Sequence, residues 1–260
     1  VLNSYLKISN ADMYVTGSNA RFLSKDIITT FRGRGDVVHI YPLSFSEYHS
    51  AYDRSKEENL AEYLLYGGLP ETITMKSGEE KMAFLRNVYE ETYIRDILER
   101  YNIKQEEELE ILFDIISSTV GSLTNPKKIA DTFKSLRQND LSAITIKRYL
   151  DIICESFLME KAVRYDVKGR KYIDTPHKYY FVDPGLRNAR MNFRQPDYSH
   201  VMENVIYNEL RIRGFNVDVG VVPVVVREDG KQKRRHYEID FVCNLGSRRY
   251  YIQSAYRMEN

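Results

Sequence analysis

Cysteine is scarce: Cys154 and Cys243 are the two in 260 residues, far apart and each with an apolar neighbour. That excludes a disulfide framework and a thiolate metal site, and leaves two buried thiols in a reducing cytoplasm as the expectation. The five histidines, His39, His49, His177, His200 and His236, show no His-x-x-x-His spacing and no pairing with cysteine. No zinc site is expected from them. No apolar run approaches the roughly 18 residues that span a bilayer, and Val1-Leu2-Asn3-Ser4 lacks the basic lead of a secretion signal. A net charge is lacking too, since 38 basic side chains face 37 acidic ones for a formal +1. Attraction to nucleic acid must therefore rest on local patches. Finally, no segment matches G-x-x-x-x-G-K-[ST]. Without that backbone cradle and its lysine, the phosphates of a nucleotide have no binding loop, and ATP hydrolysis by this chain alone is not expected.

What is present is an ordinary globular composition, 43% apolar and 29% charged, over a length that accommodates about two or three domains. The chain does not begin with Met, and its first strong element reads as the middle of a fold, so a piece of a longer protein is expected. Asn10 to Ser18 reads as a buried strand ending in a Gly turn, Phe22 to Phe31 as a short helix, and Val37 to Tyr41 as a second strand. Ser44 and Glu47 then have capping-box spacing. From Glu57 to Tyr101 the pattern is helical, broken at Gly67-Gly68-Leu69-Pro70, where two glycines and a proline cannot continue a helix.

Three patterned helices follow. Leu109 to Val120 is the first, Asn125-Pro126 caps and opens the second, and Ser142 caps a third in which Ile146, Tyr149, Leu150, Ile153 and Phe157 share a face. Two β-rich runs, Lys161 to Tyr165 and Lys178 to Val182, join through a loop containing Lys168-Gly169-Arg170-Lys171. Helices followed by such a hairpin predict a winged helix. The last part reads as a helix, Ser199 to Arg213, followed by a three-strand meander. In it the run Lys231-Gln232-Lys233-Arg234-Arg235 is read as an exposed hairpin loop able to touch a phosphate backbone. The expected class is therefore multidomain α/β: residues 1–56 an α/β edge, 57–105 a helical lid or connector, 106–190 a winged helix, and 191–260 a further α/β unit.

Met13-Tyr14-Val15-Thr16-Gly17-Ser18-Asn19, Phe31-Arg32-Gly33-Arg34-Gly35 and Gly67-Gly68-Leu69-Pro70, taken in order, resemble the downstream half of the predicted AAA-type ATPases of bacteria and archaea. The likeness continues through Tyr41 to Tyr48 and Tyr93 to Ile97 into the domain of unknown function that follows this ATPase, and covers nearly the whole chain. It implies that Ser18 or Asn19 senses the γ-phosphate and that Arg32 or Arg34 is the nucleotide- or partner-facing cation. The Walker A and Walker B segments of that family would lie upstream, so ATP and Mg²⁺ belong to the parent protein and no cofactor is assigned to this chain.

Two surfaces carry the remaining chemistry. Lys147 and Arg148 on the third helix, with Lys168, Arg170 and Lys171 on the wing, form a modest footprint for DNA phosphates, diluted by Asp151, Glu155 and Asp166. Glu203 on a helix, Glu238-Ile239-Asp240 on a strand and Tyr251-Ile252-Gln253-Ser254-Ala255 on the next resemble the restriction-endonuclease-like fold. In that fold acidic side chains bind Mg²⁺ and a Glu-x-Lys supplies a further carboxylate and a cation. Here Gln253 and Ala255 stand at the Glu and Lys positions, leaving a degenerate site of Glu203, Asp240 and Gln253. Three readings follow: a non-catalytic region that binds DNA or a protein partner and couples it to an ATPase core, a divergent Mg²⁺-dependent nuclease, or an assembly module that oligomerises. No membrane partner is expected.

Overall fold

The computed structural model describes residues 8, 10, 12, 14–17, 36–137, 141–194, 197–228 and 231–255. Ser18, Asn19, Arg32, Arg34 and the helix expected over Phe22 to Phe31 lie outside these. The protein is mixed α/β, with helices arranged around one five-stranded mixed sheet.

The N-terminal helices start where short polar residues can cap them. α1 (Phe45–Ser50), α2 (Lys56–Tyr66) and α4 (Gly78–Asn87) each begin with a reciprocal capping box, formed by Ser44/Glu47, Ser55/Glu58 and Ser77/Glu80. α3 is the single turn Glu71–Thr74. α4 runs through a π segment, Val88–Ile94, into α5 (Arg95–Tyr101), which ends at Asn102 with φ 49°.

α2 stops at Gly67, whose φ of 75° is one that a side chain resists. The turn it makes wraps a carboxylate. Asp183 accepts from the backbone N–H of Gly68 at 2.7 Å, Gly185 at 2.8 Å and Leu186 at 3.2 Å. Asp183 thereby caps α9 (Pro184–Arg190) and ties it to the Gly67-Gly68 turn. Desolvation of this fully buried carboxyl outweighs the N–H donors and raises its pKa to about 6.

α6 (Glu106–Ser118), α7 (Pro126–Arg137) and α8 (Ala143–Glu155) are the three patterned helices, and the antiparallel hairpin β1 (Met159–Asp166) and β2 (Lys171–Phe181) follows directly. Between α6 and α7, Thr124 makes an isolated bridge to His177 on β2. Then come α10 (Tyr198–Ile212), β3 (Asn216–Glu228), β4 (Lys231–Leu245) and β5 (Arg248–Ile252). The sheet order is β2-β1-β3-β4-β5. Its central contact is parallel, Arg164 to Asp166 on β1 against Val219 to Val221 on β3, while every other pair is antiparallel. Hairpin and meander thus form one sheet.

The core is correspondingly shared. One cluster runs from Leu85 and Tyr89 through Phe113, Phe133 and Ile153 to Phe181, Val219 and Phe241. A smaller one packs Tyr48, Tyr63 and Leu64 against Val201 and Val205 of α10. Burying each large side chain contributes about 1.5–3 kcal/mol, so these contacts bind the N-terminal helices to the sheet.

Three expectations are corrected. Residues 12 and 14–17 of the expected Asn10 to Ser18 strand are exposed and make no strand among the described residues. Residues 36–40 make no strand among the described residues, and Val37, Val38 and Ile40 are exposed. A β-rich sequence becomes a strand only where a partner supplies ladder hydrogen bonds. The basic run at 231–235 is strand and not loop, because only residues 229 and 230 separate β3 from β4 and the register closes at Glu228 opposite Lys231.

Candidate functional site

The acidic residues picked out in the C-terminal part converge on a buried lysine. α10 is anchored over the end of β2 by two asparagines. Asn204 accepts from Phe181 N–H at 2.8 Å and donates to Phe181 C=O at 2.7 Å, and Asn208 donates to the carbonyls of Phe181 and Val182, each at 3.0 Å. This satisfies backbone groups at a strand end and fixes Glu203 above β2. On β4, Glu238 and Asp240 are two residues apart and so share a sheet face.

Into this acidic centre β2 sends Lys178. Its ammonium lies 2.9 Å from Glu203 Oε1, 2.7 Å from Glu238 Oε1 and 3.9 Å from Asp240 Oδ1. The lysine side chain is 3% exposed, against 12% for Glu203, 9% for Asp240 and 35% for Glu238. Burial works against its charge, but Glu203 and Glu238 outweigh that and hold its pKa above the ordinary lysine value. The ammonium is firmly charged at neutral pH.

Two of the carboxylate oxygens take further donors. Glu203 Oε1 accepts from Tyr180 O–H at 2.7 Å, and Asp240 Oδ2 accepts from Gln253 Nε2 and Ser254 N–H, both at 2.7 Å. Tyr180 stacks on Tyr207 with centroids 4.2 Å apart. Burial and then Glu203 raise the Tyr180 hydroxyl pKa, so it stays a neutral donor. Gly121, at φ 72°, leaves room beside Glu203, where a Cβ would come within 3.0 Å of Oε1.

Glu203, Asp240 and Gln253 thus lie around one centre, with Lys178 against Glu203 and Asp240 and Gln253 on Asp240, whereas Glu209 points elsewhere, accepting from Phe45 N–H at 2.7 Å. Missed were Lys178, Tyr180 and Glu238 as members of the cluster, and the asparagine clamp. One signal was available: a lysine heading the run Lys178-Tyr179-Tyr180-Phe181, all buried, requires a charge partner.

A divalent cation does not fit this donor set. Mg²⁺ requires free oxygens in near-octahedral array, but the position between the carboxylates holds an ammonium and Asp240 Oδ2 already has two donors. Among the described residues no group of His, Cys, Asp and Glu has the arrangement of a metal site.

The expected DNA-facing cations fall in two places. Lys168, Arg170 and Lys171 stand exposed together at the β1–β2 turn, which Asp166 closes by accepting from Lys168 N–H at 3.1 Å and Gly169 N–H at 2.8 Å. Lys147 and Arg148 are exposed on α8, and Lys147 pairs with Asp151 at 3.2 Å. No described helix is long and apolar enough to cross a membrane.

These features define a mixed α/β protein whose helices surround one five-stranded sheet. Residues 1–49 match the family described as AAA domain. Residues 57–197, more than half the chain, match the family described as Domain of unknown function (DUF8612), and the chain belongs to that family. It is similar to an uncharacterized protein of Haemophilus influenzae, 34% identical over 99% of this chain and 62% of that one. An uncharacterized protein of Methanocaldococcus jannaschii is 27% identical over 97% of this chain and 57% of its own length. The chain therefore spans less than two thirds of either relative. No solved structure matches it.

Proposed function

We propose that this chain is the non-hydrolytic, ligand-binding end of an AAA-type ATP-binding protein, in which the region after the AAA domain engages DNA and biases the ATPase core. On this reading α6, α7, α8 and the β1–β2 hairpin are a winged helix, with Thr124 as its short third strand. α10 and β3–β5 are a restriction-endonuclease-like unit that no longer cuts. ATP and Mg²⁺ bind the parent protein, with Ser18 or Asn19 facing the γ-phosphate and Arg32 or Arg34 serving as the cation beside it.

The observation that carries this reading is Lys178, whose ammonium takes the position between Glu203, Glu238 and Asp240 that a catalytic cation would need. Phosphodiester hydrolysis requires a hard Lewis acid and a positioned water, and the ammonium stands where that Lewis acid would sit. The test is incubation of the chain with supercoiled plasmid in Mg²⁺ or Mn²⁺ beside its Asp240→Asn variant. Equal and negligible nicking by both is expected. Nicking that the substitution abolishes would overturn the reading.

A further inference from the structure

The β3–β4 hairpin outgrows its sheet. β1 leaves β3 at Val221, and β5 pairs with β4 only over Phe241 to Leu245. From Val222 opposite Tyr237 to Glu228 opposite Lys231 the two strands pair with each other alone. These seven rungs extend about 20 Å beyond the sheet. Over 222–237 the arm's sequence has five cations, Arg227, Lys231, Lys233, Arg234 and Arg235, against two acids, Glu228 and Asp229, although the whole chain is nearly neutral.

The register sorts the side chains. Val225 opposes Arg234, Arg227 opposes Gln232 and Pro223 opposes His236, so these six share one face. On it Arg227, Gln232, Arg234, His236 and Val225 are exposed, Val225 to 61%. Because β1 and β3 run parallel, the β1–β2 turn leaves the sheet at the same end. Val167 N–H donates to Val221 C=O at 3.0 Å, setting exposed Lys168, Arg170 and Lys171 beside the root of the arm.

We infer that the arm is a β-ribbon that enters the major groove of duplex DNA, while the adjacent turn at Lys168 to Lys171 contacts the flanking phosphates. A two-stranded ribbon fits the roughly 12 Å major groove of B-form DNA. Arginine and glutamine are the side chains that pair bidentately with guanine and adenine edges there, and an exposed valine suits a thymine methyl. The deep, narrow major groove of A-form RNA does not admit such an arm. This inference rests on the DNA-binding reading above and names the element responsible.

The experiment is fluorescence anisotropy of the full chain with a random-sequence 24-base-pair DNA duplex and its RNA counterpart, between 50 and 200 mM salt. Arg227→Ser/Arg234→Ser is compared with Lys147→Ser/Arg148→Ser, and thermal melts confirm that both remain folded. Loss of two cation contacts at the arm flattens the salt slope by about 1.8, a roughly 60-fold loss of affinity at 100 mM salt. Methylation of guanine N7 should be protected by the wild type and not by the arm variant. Unchanged affinity of the arm variant, or equal affinity for duplex RNA, overturns the ribbon. If the α8 variant alone loses binding, the DNA reading survives and the arm does not. No DNA binding by the wild type overturns both, while the plasmid result stands independently.

Discussion

Replacing Lys178 with methionine keeps most of the length of the side chain and removes the ammonium, with its charge and its N–H donors. The carboxylates left behind are Glu203 and Asp240, 12% and 9% exposed, and the more solvated Glu238 at 35%. Removing one partner of a buried ion pair costs about 3–5 kcal/mol, because the remaining charge stays desolvated and here also meets a like charge. Glu238 adds little to that figure, since solvent screens it. At roughly 2–4 °C per kcal/mol for a chain of this size, the melting temperature should fall by roughly 6–20 °C. The lysine's pKa is raised in the fold. Its stabilisation is therefore fully present below the unfolded value of about 10.4 and is lost only as pH rises through the higher folded value, so pH 7 reports all of it. A second substitution, Glu203→Gln, removes the stranded charge and keeps an oxygen for Tyr180 O–H. Urea denaturation should show the double variant more stable than Lys178→Met alone. Mg²⁺ should leave the wild-type melt unmoved. A loss below about 1 kcal/mol, or penalties that simply add, would refute the account of the lysine as the counter-ion of this cluster.

Asp183 and its turn give two further tests. In the fold its carboxyl holds a proton up to about pH 6, whereas the unfolded chain releases it near 3.9. The folded state binds more protons in between, so stability present below about pH 4 is lost as pH rises through about 6, by about 3 kcal/mol. The stability difference between wild type and Asp183→Asn should fall by that amount between pH 4 and 7, and a flat difference would contradict it. Gly67→Ala places a Cβ 2.0 Å from Asp183 Oδ1 at φ 75°, whereas Gly214→Ala at φ 80° meets nothing within 4 Å. Denaturant midpoints should show the second losing only about 1 kcal/mol of backbone strain and the first about 3 kcal/mol or more.

What the sequence disclosed and what it concealed divide by distance along the chain. Ser44 with Glu47, Asn125 with Pro126 and Ser142 with Thr145 act within one turn, and all three starts stand in the structure where that spacing puts them. Glu203, Asp240 and Gln253 were picked out as a set because their order resembles a known fold. Lys178 was not, since its partners lie 25 and 60 residues away and nothing local says which acids a buried lysine will meet. The parallel contact of β1 with β3 is hidden for the same reason: α9 and α10 intervene, and hairpin signals speak only of neighbours. Residues 231–235 misled through composition. A run of cations reads as loop, yet the β3–β4 register continues to Glu228 opposite Lys231, so the run lies within a strand.

α10 contacts both the AAA-matched segment and β2. The AAA-matched segment ends at residue 49, and its last helix is held from three sides. Phe45 N–H donates to Glu209 at 2.7 Å, Tyr48 packs in the small core with Val201 and Val205, and Leu43 N–H donates to Gly68 C=O at 2.8 Å. Glu209, Val201 and Val205 belong to the helix that also carries Glu203, six residues or about 9 Å before Glu209. The asparagine clamp at Asn204 and Asn208 fixes that helix to β2, the strand of Lys178. A shift of the AAA-matched end along α10 would therefore have to break buried hydrogen bonds or carry β2 with it, and β2 continues back to the β1–β2 turn beside the basic arm. At the carboxylate centre Lys178 is the cation that ties α10, through Glu203, and β4, through Glu238, to β2.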